Sequence, residues 1–264
     1  MKFLRIIIIM VASLTLMFNG HIALATNTHT TTLLRTSSQY WSIADTASLS
    51  ITGVISIEFW VKITSQPADG IFYHLISKFL ETGDQRSYLF QYFNETGGGD
   101  IYKFAFVASA NGIATASATK IQTLNTGEWV HIAIVWTAST STAEFFINGS
   151  SIGTETTGTI TALYDSTASF RVGAMGDGGN YSDASVDDVR VWNAARTATQ
   201  ISNNRSCSLA GTETNLQAYW RFDNDGNDST ANANNLTNNN SATFQSASLP
   251  FTNTCGEEYT IIFD

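Results

Sequence analysis

Proline and cysteine are nearly missing from this sequence, with two of each in 264 residues. Charged residues are also sparse, at 13%, and apart from Ala the usual helix formers are few. A chain poor in proline and rich in Gly, Ser, Thr and Asn suits many short strands joined by polar turns. Basic residues are the scarcer sign, with 13 Lys and Arg against 22 Asp and Glu. Those that exist are scattered singly, whereas a protein that neutralises phosphates needs them clustered. Nucleic acid and anionic membrane surfaces are therefore excluded as expected partners.

Long apolar runs are absent after residue 25, so no membrane insertion is expected beyond that point. Before it, Lys2 and Arg5 precede the run Ile6 to Ala12, which continues through Leu14 to Phe18 and ends at Ala23-Leu24-Ala25. That order, a basic start, an apolar stretch and a small-x-small cleavage pattern, predicts a signal peptide over residues 1–25 and a mature chain from near Thr26. A membrane anchor is the alternative, but Ser13, Thr15 and Asn19 break the run and shorten it. The expected location is secreted, extracellular or at the cell surface, with the periplasm as the other oxidising compartment. There, Cys207 and Cys255 are expected to pair, closing a loop worth roughly 4 kcal/mol in the chain-entropy picture. Zinc ligation by two isolated thiols with no nearby His is the weaker reading.

Aromatics reach 12%, and strand signals run from about residue 38 to residue 222. In Ile55 to Ile63, the residues Ile55, Ile57, Phe59, Val61 and Ile63 share one face while Ser56, Glu58, Trp60 and Lys62 share the other. Ser87–Phe93 and Ile101–Ala108 predict a hairpin across the glycines at 97–99. Trp129–Thr137 and Ala143–Ile147 follow, with Asn148-Gly149 as the strongest short turn signal. Ser169–Ala174, Ser185–Trp192 and Leu216–Phe222 complete the set. One helix is expected near 197–204, because Thr197-Ala-Thr-Gln200 matches a capping box. The Asn-rich stretch 223–243 reads as a polar loop, ordered or flexible. The expected organisation is one all-β domain over 26–255 with a tail over 256–264.

Four stretches carry a resemblance: Ser48 to Lys62, Thr126 to Trp136, Phe145 to Gly149 and Val186 to Asn193. A fifth, Leu216 to Asp223 with Asp228-Ser229 beyond it, looks like a closing strand and its loop. Together they resemble the laminin-G-like jelly-roll domains of the concanavalin-A-like lectin family, over nearly all of the mature chain. The resemblance implies two antiparallel sheets packed face to face as a jelly-roll sandwich, one of them concave. It does not fix a function, since the fold hosts lectins, adhesion modules and some glycoside hydrolases.

The most informative acids are Asp187 and Asp188. Strict alternation puts Asp187 on the face of Val189 and Val191, where a carboxylate needs a partner. Relatives of this fold hold a structural calcium at the equivalent acid. Asp187 is therefore expected to bind Ca²⁺, with Asp228 as the second side chain from the oxygen-rich loop 223–228. The alternative is that Asp187 caps a strand end and the loop acids are solvated. An EF-hand is rejected, because Asn234 stands at the twelfth position from Asp223, where that motif needs Glu.

For ligand recognition, the loop Gly176 to Asp183 offers Asp177, Asn180 and Tyr181, the mixture of aromatic and polar groups that sugars require. An ordinary glycine-rich turn is the alternative, and Trp60 and Tyr102 are weaker candidates. No catalytic residues are expected. Laminarinase-like relatives carry Glu-x-Asp-x-x-Glu on one strand, and this sequence has no such run, while Glu58 and Glu144 read as lone acids on outward faces. His131 reads as a packed strand residue. The expected function is a non-catalytic, exported module binding glycans or a cell-surface partner. A protein-interaction or matrix module without sugar affinity is the first alternative and a divergent glycoside hydrolase the second.

Overall fold

The computed structural model describes residues 27–246. The predicted leader, Cys255 and the tail 256–264 lie outside the described residues, and so does the expected Cys207–Cys255 pairing.

Two antiparallel sheets form a sandwich. One has the order β10 (Ser150–Thr156), β9 (Thr142–Ile147), β8 (Val130–Thr137), β3 (Val54–Ile63), β12 (Ala184–Trp192), β1 (His29–Leu33), β15 (Thr243–Ser246), with β13 (Leu216–Trp220) also paired to β12. The other runs β14 (Thr237–Asn239), β2 (Tyr40–Ile43), β11 (Phe170–Val172), β4 (Phe72–Leu80), β5 (Gln85–Asn94), β6 (Tyr102–Gly112), β7 (Thr115–Ile121). The predicted all-β jelly-roll class is what the chain adopts. Among the described residues no helix is long and apolar enough to cross a membrane.

The period-two pattern builds the core. Ile55, Ile57, Phe59, Val61 and Ile63 of β3 are buried with Tyr88, Phe90 and Tyr92 of β5 and with Phe104 and Phe106 of β6. Rings join the two sheets: Phe59 meets Phe90 edge-on at 6.0 Å, Phe106 stacks with Trp136 at 6.2 Å, and Phe170 stacks with Trp220 at 4.9 Å. Each such ring contributes about 1.5–3 kcal/mol by burial, and each aromatic pair adds about 0.5–1.5 kcal/mol. Trp136 and Trp220 also satisfy their buried indole N–H groups, on Thr157 Oγ1 at 3.0 Å and Asn234 O at 2.7 Å.

Local signals hold as well. Asn148 and Gly149 have φ of 50° and 81°, the left-handed pair that joins β9 to β10. Helix α1 (Ala198–Asn204) starts on the expected capping box. Gln200 N–H donates to Thr197 Oγ1 at 3.2 Å, and Thr197 N–H donates to Gln200 Oε1 at 3.0 Å. This helix and the segment after it cover the polar face of β3, which corrects the reading of Glu58 as a solvated acid: it is 1% exposed.

One edge of β12 is divided between two strands. Thr31 to Leu33 of β1 pair with Ala184 to Val186, and Leu216 to Trp220 of β13 pair with Val189 to Trp192. Asp187 and Asp188 fall between them, at a bulge in the pairing with β3. On its other side β1 pairs with β15, His29 opposite Ser246.

Candidate functional site

The glycine-rich connection between β11 and β12, residues 173–183, folds back against the outer side of β4. Gly173 N–H donates to Leu75 O at 2.9 Å and Gly176 N–H to Phe79 O at 2.8 Å. A Cβ at Gly176 would stand 2.6 Å from that same oxygen, so only glycine permits the approach. The return leg is held by the backbone of His74, whose N–H donates to Asn180 O at 3.2 Å and whose carbonyl accepts from Ser182 Oγ at 3.0 Å. Met175 packs on Phe79, Leu89, Ala105 and Val107, which alternate with the core residues of their strands and so face outward.

The three predicted ligand residues each turn to a different neighbour. Asp177 supports the turn after β4, accepting from the N–H groups of Glu81 and Thr82. Burial acts to raise its pKa, but the bonds from Thr82 and Glu81, with Arg86 nearby, outweigh burial and hold it below the ordinary value. Asn180 takes a left-handed backbone, φ 48°, and lends its main-chain oxygen to His74. Tyr181 sets its ring against Tyr40 of β2, centroids 6.0 Å apart and tilted by 34°. The Arg171 guanidinium lies 4.9 Å from the Tyr40 centroid, and its Nη1 donates to Met175 O at 2.9 Å. Tyr40, Tyr181 and Arg171 thus form a half-buried aromatic and cationic patch, which Asp177 and Asn180 support by shaping the loop.

His74 anchors this loop from a buried position, with Nδ1 lacking a hydrogen-bond partner. Burial pushes its pKa down to about 4, against a bond with Gln91 that acts to raise it. A base depressed in the folded state gives stability that is complete above its unfolded pKa, about 6.5, and lost as pH falls toward 4. That difference corresponds to about 3 kcal/mol. His131, also lowered, contributes in the same direction, and Asp187 and Asp188, both raised, oppose it. His74→Gln is expected to flatten the acid arm of a melting-temperature profile between pH 6.5 and 4; an arm as steep as the parent's would contradict this.

A second cluster sits where β1 and β13 share the edge of β12. The bulge places Asp187 opposite Trp60, in the outward series of β3, and gives Asp188 a left-handed φ of 53°. This corrects the expectation that Asp187 shares the face of Val189 and Val191. Asp187 is fully buried; Oδ2 accepts from Asn27 Nδ2 at 3.0 Å and Oδ1 from Asp188 N–H at 2.8 Å. Burial, then the charge of Asp188, push its pKa well above the usual carboxylate range, and Asp223 adds to the rise. Asp223 Oδ1 accepts from the N–H groups of Thr28 at 2.6 Å and His29 at 3.0 Å, so it flanks the same start of β1. Asn27 Oδ1 is buried with no hydrogen bond.

Asp187, Asp223 and Asn27 Oδ1 are hard oxygen donors around an excess of negative charge, which fits a calcium ion. No group of three or more His, Cys, Asp or Glu side chains suited to a metal occurs among the described residues, so the carboxamide is needed to complete the set. Asp228, predicted as the second ligand, is directed elsewhere. Its Oδ1 accepts from the N–H groups of Tyr219 (3.0 Å) and Thr230 (2.9 Å). Its Oδ2 accepts from Thr230 Oγ1 (2.9 Å) and from Asn234 N–H (2.9 Å) and Nδ2 (3.1 Å). Five donors occupy its oxygens, whereas Asp223 lies against Thr28 and His29, next to Asn27 in the chain.

Residues 35–202 match the sequence profile of the concanavalin A-like lectin/glucanases superfamily. The chain belongs to this superfamily. Among solved structures, a Bacteroides ovatus ATCC 8483 protein provisionally described as carbohydrate binding superposes with a TM-score of 0.65 at 16% identity, over 86% of this chain. The match spans 62% of the Bacteroides protein's length. The heptameric SAP-like pentraxin of Limulus polyphemus superposes with a TM-score of 0.57 at 13% identity, over 84% of this chain and 96% of the pentraxin. At these identities the likeness is one of fold. No curated protein matches the sequence.

This member of the lectin/glucanase superfamily keeps a third set of charges out of solvent, under α1. Arg190, fully buried, donates to Asp188 Oδ2, to Cys207 O at 2.5 Å and to Asn204 O at 2.9 Å, and lies 3.7 Å from Glu58 Oε1. Glu58 Oε1 accepts from Trp192 Nε1 at 3.0 Å, and His131 Nε2 stands 3.5 Å from its Oε2. His131 is packed, as expected, and burial followed by Arg190 and Arg205 hold its pKa well down. Trp60, once a candidate ligand platform, packs edge-on against His131 and donates to Arg205 O. The network fastens α1 and the Cys207 segment to the sheet.

Proposed function

We propose that the protein is an exported, non-catalytic module of the lectin/glucanase superfamily that binds glycans on the patch of Tyr40, Tyr181 and Arg171. The observation that carries this reading is the pairing of two half-exposed rings beside a guanidinium on the outer face of the seven-stranded sheet. A pyranose offers an apolar ring face to aromatics and hydroxyls to flanking donors and acceptors, and this patch supplies both. Superfamily membership and the fold shared with the Bacteroides protein support it. On a glycan array the parent protein is expected to bind, and Tyr181→Ala to weaken its best ligand at least tenfold, about 1.4 kcal/mol. A blank array, or binding that Tyr181→Ala leaves intact, would sink the reading. Reducing-sugar release from a β-glucan panel would move it to the hydrolase alternative.

Within this proposal Asp187, Asp223 and the Asn27 side-chain oxygen hold a structural calcium. Bound there, the ion would supply positive charge to a buried acid pair and tie the start of β1 to the end of β13. Calcium is expected to raise the melting temperature of metal-stripped protein by more than it raises that of Asp187→Asn. Equal responses in the two proteins would remove calcium from this position.

A further inference from the structure

A different loop carries a second oxygen cluster, at the end of β5 remote from the turn that Asp177 supports. Between β5 and β6 the chain runs through Gly97, Gly98 and Gly99, at φ 132°, 70° and 148°, to Asp100 at φ 48°. Glu95 N–H donates to Ile101 O at 3.0 Å and closes the tip. The tip leans on the segment preceding β4. Asp69 and Asn94 form an isolated parallel bridge, Gly70 N–H donates to Asn94 O at 3.2 Å, and Asn94 N–H donates to Ile71 O at 3.3 Å. Asp69 Oδ1 accepts from Gly97 N–H at 3.2 Å. Asp100 Oδ1 accepts from Asn94 Nδ2 at 3.4 Å and from the Tyr102 hydroxyl at 3.3 Å.

Asn94 therefore links the two segments, its backbone bridging to that of Asp69 and its carboxamide N–H donating to Asp100. It is only 3% exposed, and its Oδ1 is buried with no hydrogen-bond partner, a group that ordinarily finds one. Lys103, the nearby cation, pairs with Glu95 at 2.5 Å. The acids' charges are left to solvent and to whatever binds beside the Asn94 oxygen.

We propose that Asp69, Asp100 and Asn94 Oδ1 bind a divalent cation, calcium by preference, that pins the β5–β6 tip to the segment before β4. All three donors are hard oxygens on a glycine-rich backbone, the irregular geometry that calcium accepts and magnesium does not. Phe72 and Phe93, next in sequence to Ile71 and Asn94, stack at 4.9 Å where β4 pairs with β5. The site is separate from Asp187 and does not rest on glycan binding.

Calorimetric titration of metal-stripped protein with Ca²⁺ tests it, using the parent, Asp69→Asn, Asp100→Asn and Asp187→Asn. Both loop acids are exposed, so their variants should fold, and a melting curve checks that. Asp69→Asn and Asp100→Asn are each expected to weaken at least tenfold a binding event that Asp187→Asn retains. With Tb³⁺ in place of Ca²⁺, emission sensitised by Tyr102 is expected to fall in Asp100→Asn. The proposal is overturned if both loop variants titrate like the parent, or if the parent shows no event beyond the one that Asp187→Asn removes.

Discussion

Arg190→Met is expected to destabilise the protein by about 3–5 kcal/mol, because it removes one partner from a buried ion network and leaves the others charged. Asp188 and Glu58 are each 1% exposed. Burial has already raised the Asp188 carboxyl to about 6, with Arg190 as the chief opposing influence. The substitution also strips the donors from Asn204 O and Cys207 O, so α1 should lose its attachment before the sandwich opens. Urea melts measure the first effect and hydrogen exchange of the α1 amides the second. Without Arg190 the Asp188 carboxyl rises further, so the variant should take up a proton and recover part of the loss as pH falls toward 6, where the parent's own carboxyl begins to protonate. A loss under 1 kcal/mol would show that the network is dispensable.

Asp228→Ala is expected to cost about 2–4 kcal/mol, by orphaning several of the five donors that converge on one carboxylate. The damage should spread beyond the loop. Asn234, which gives two of those bonds, also accepts the Trp220 indole N–H on its main-chain oxygen and receives Thr46 Oγ1 on Oδ1 at 2.8 Å. Trp220 in turn stacks on Phe170 across the sandwich. Asp228→Asn, which keeps one accepting oxygen, should lose about half as much. Urea midpoints for the two variants decide it: equal and small losses would mean that the loop holds without its central acid.

Much of the sandwich could be read from period two, because β3, β8 and β12 are long, and the capping box at Thr197 and the Asn148-Gly149 turn are local chemistry that needs no partner. What failed depended on chain segments distant in sequence. A bulge adds one residue and exchanges the faces beyond it, so strict alternation put Asp187 on the wrong side. The left-handed tolerance of an Asp-Asp pair was the available hint. Strand β4 carried no clear alternation because the loop at 173–183 covers its outer side. Glu58 looked solvated because nothing in β3 announces that α1 will lie over it. Asp223 and Asp228 could not be told apart by composition, since the difference lies in which amides reach them. Tyr40 and Arg171 joined Tyr181 only once β2 and β11 were neighbours.

The register of β1 with β15 sets how this domain would hang in a larger assembly. His29 and Ser246 stand side by side, so the two ends of the described chain lie together at the β15 side of the eight-stranded sheet. A tether at either end would thus hold the body by one sheet, while the patch at Tyr40 lies on the other.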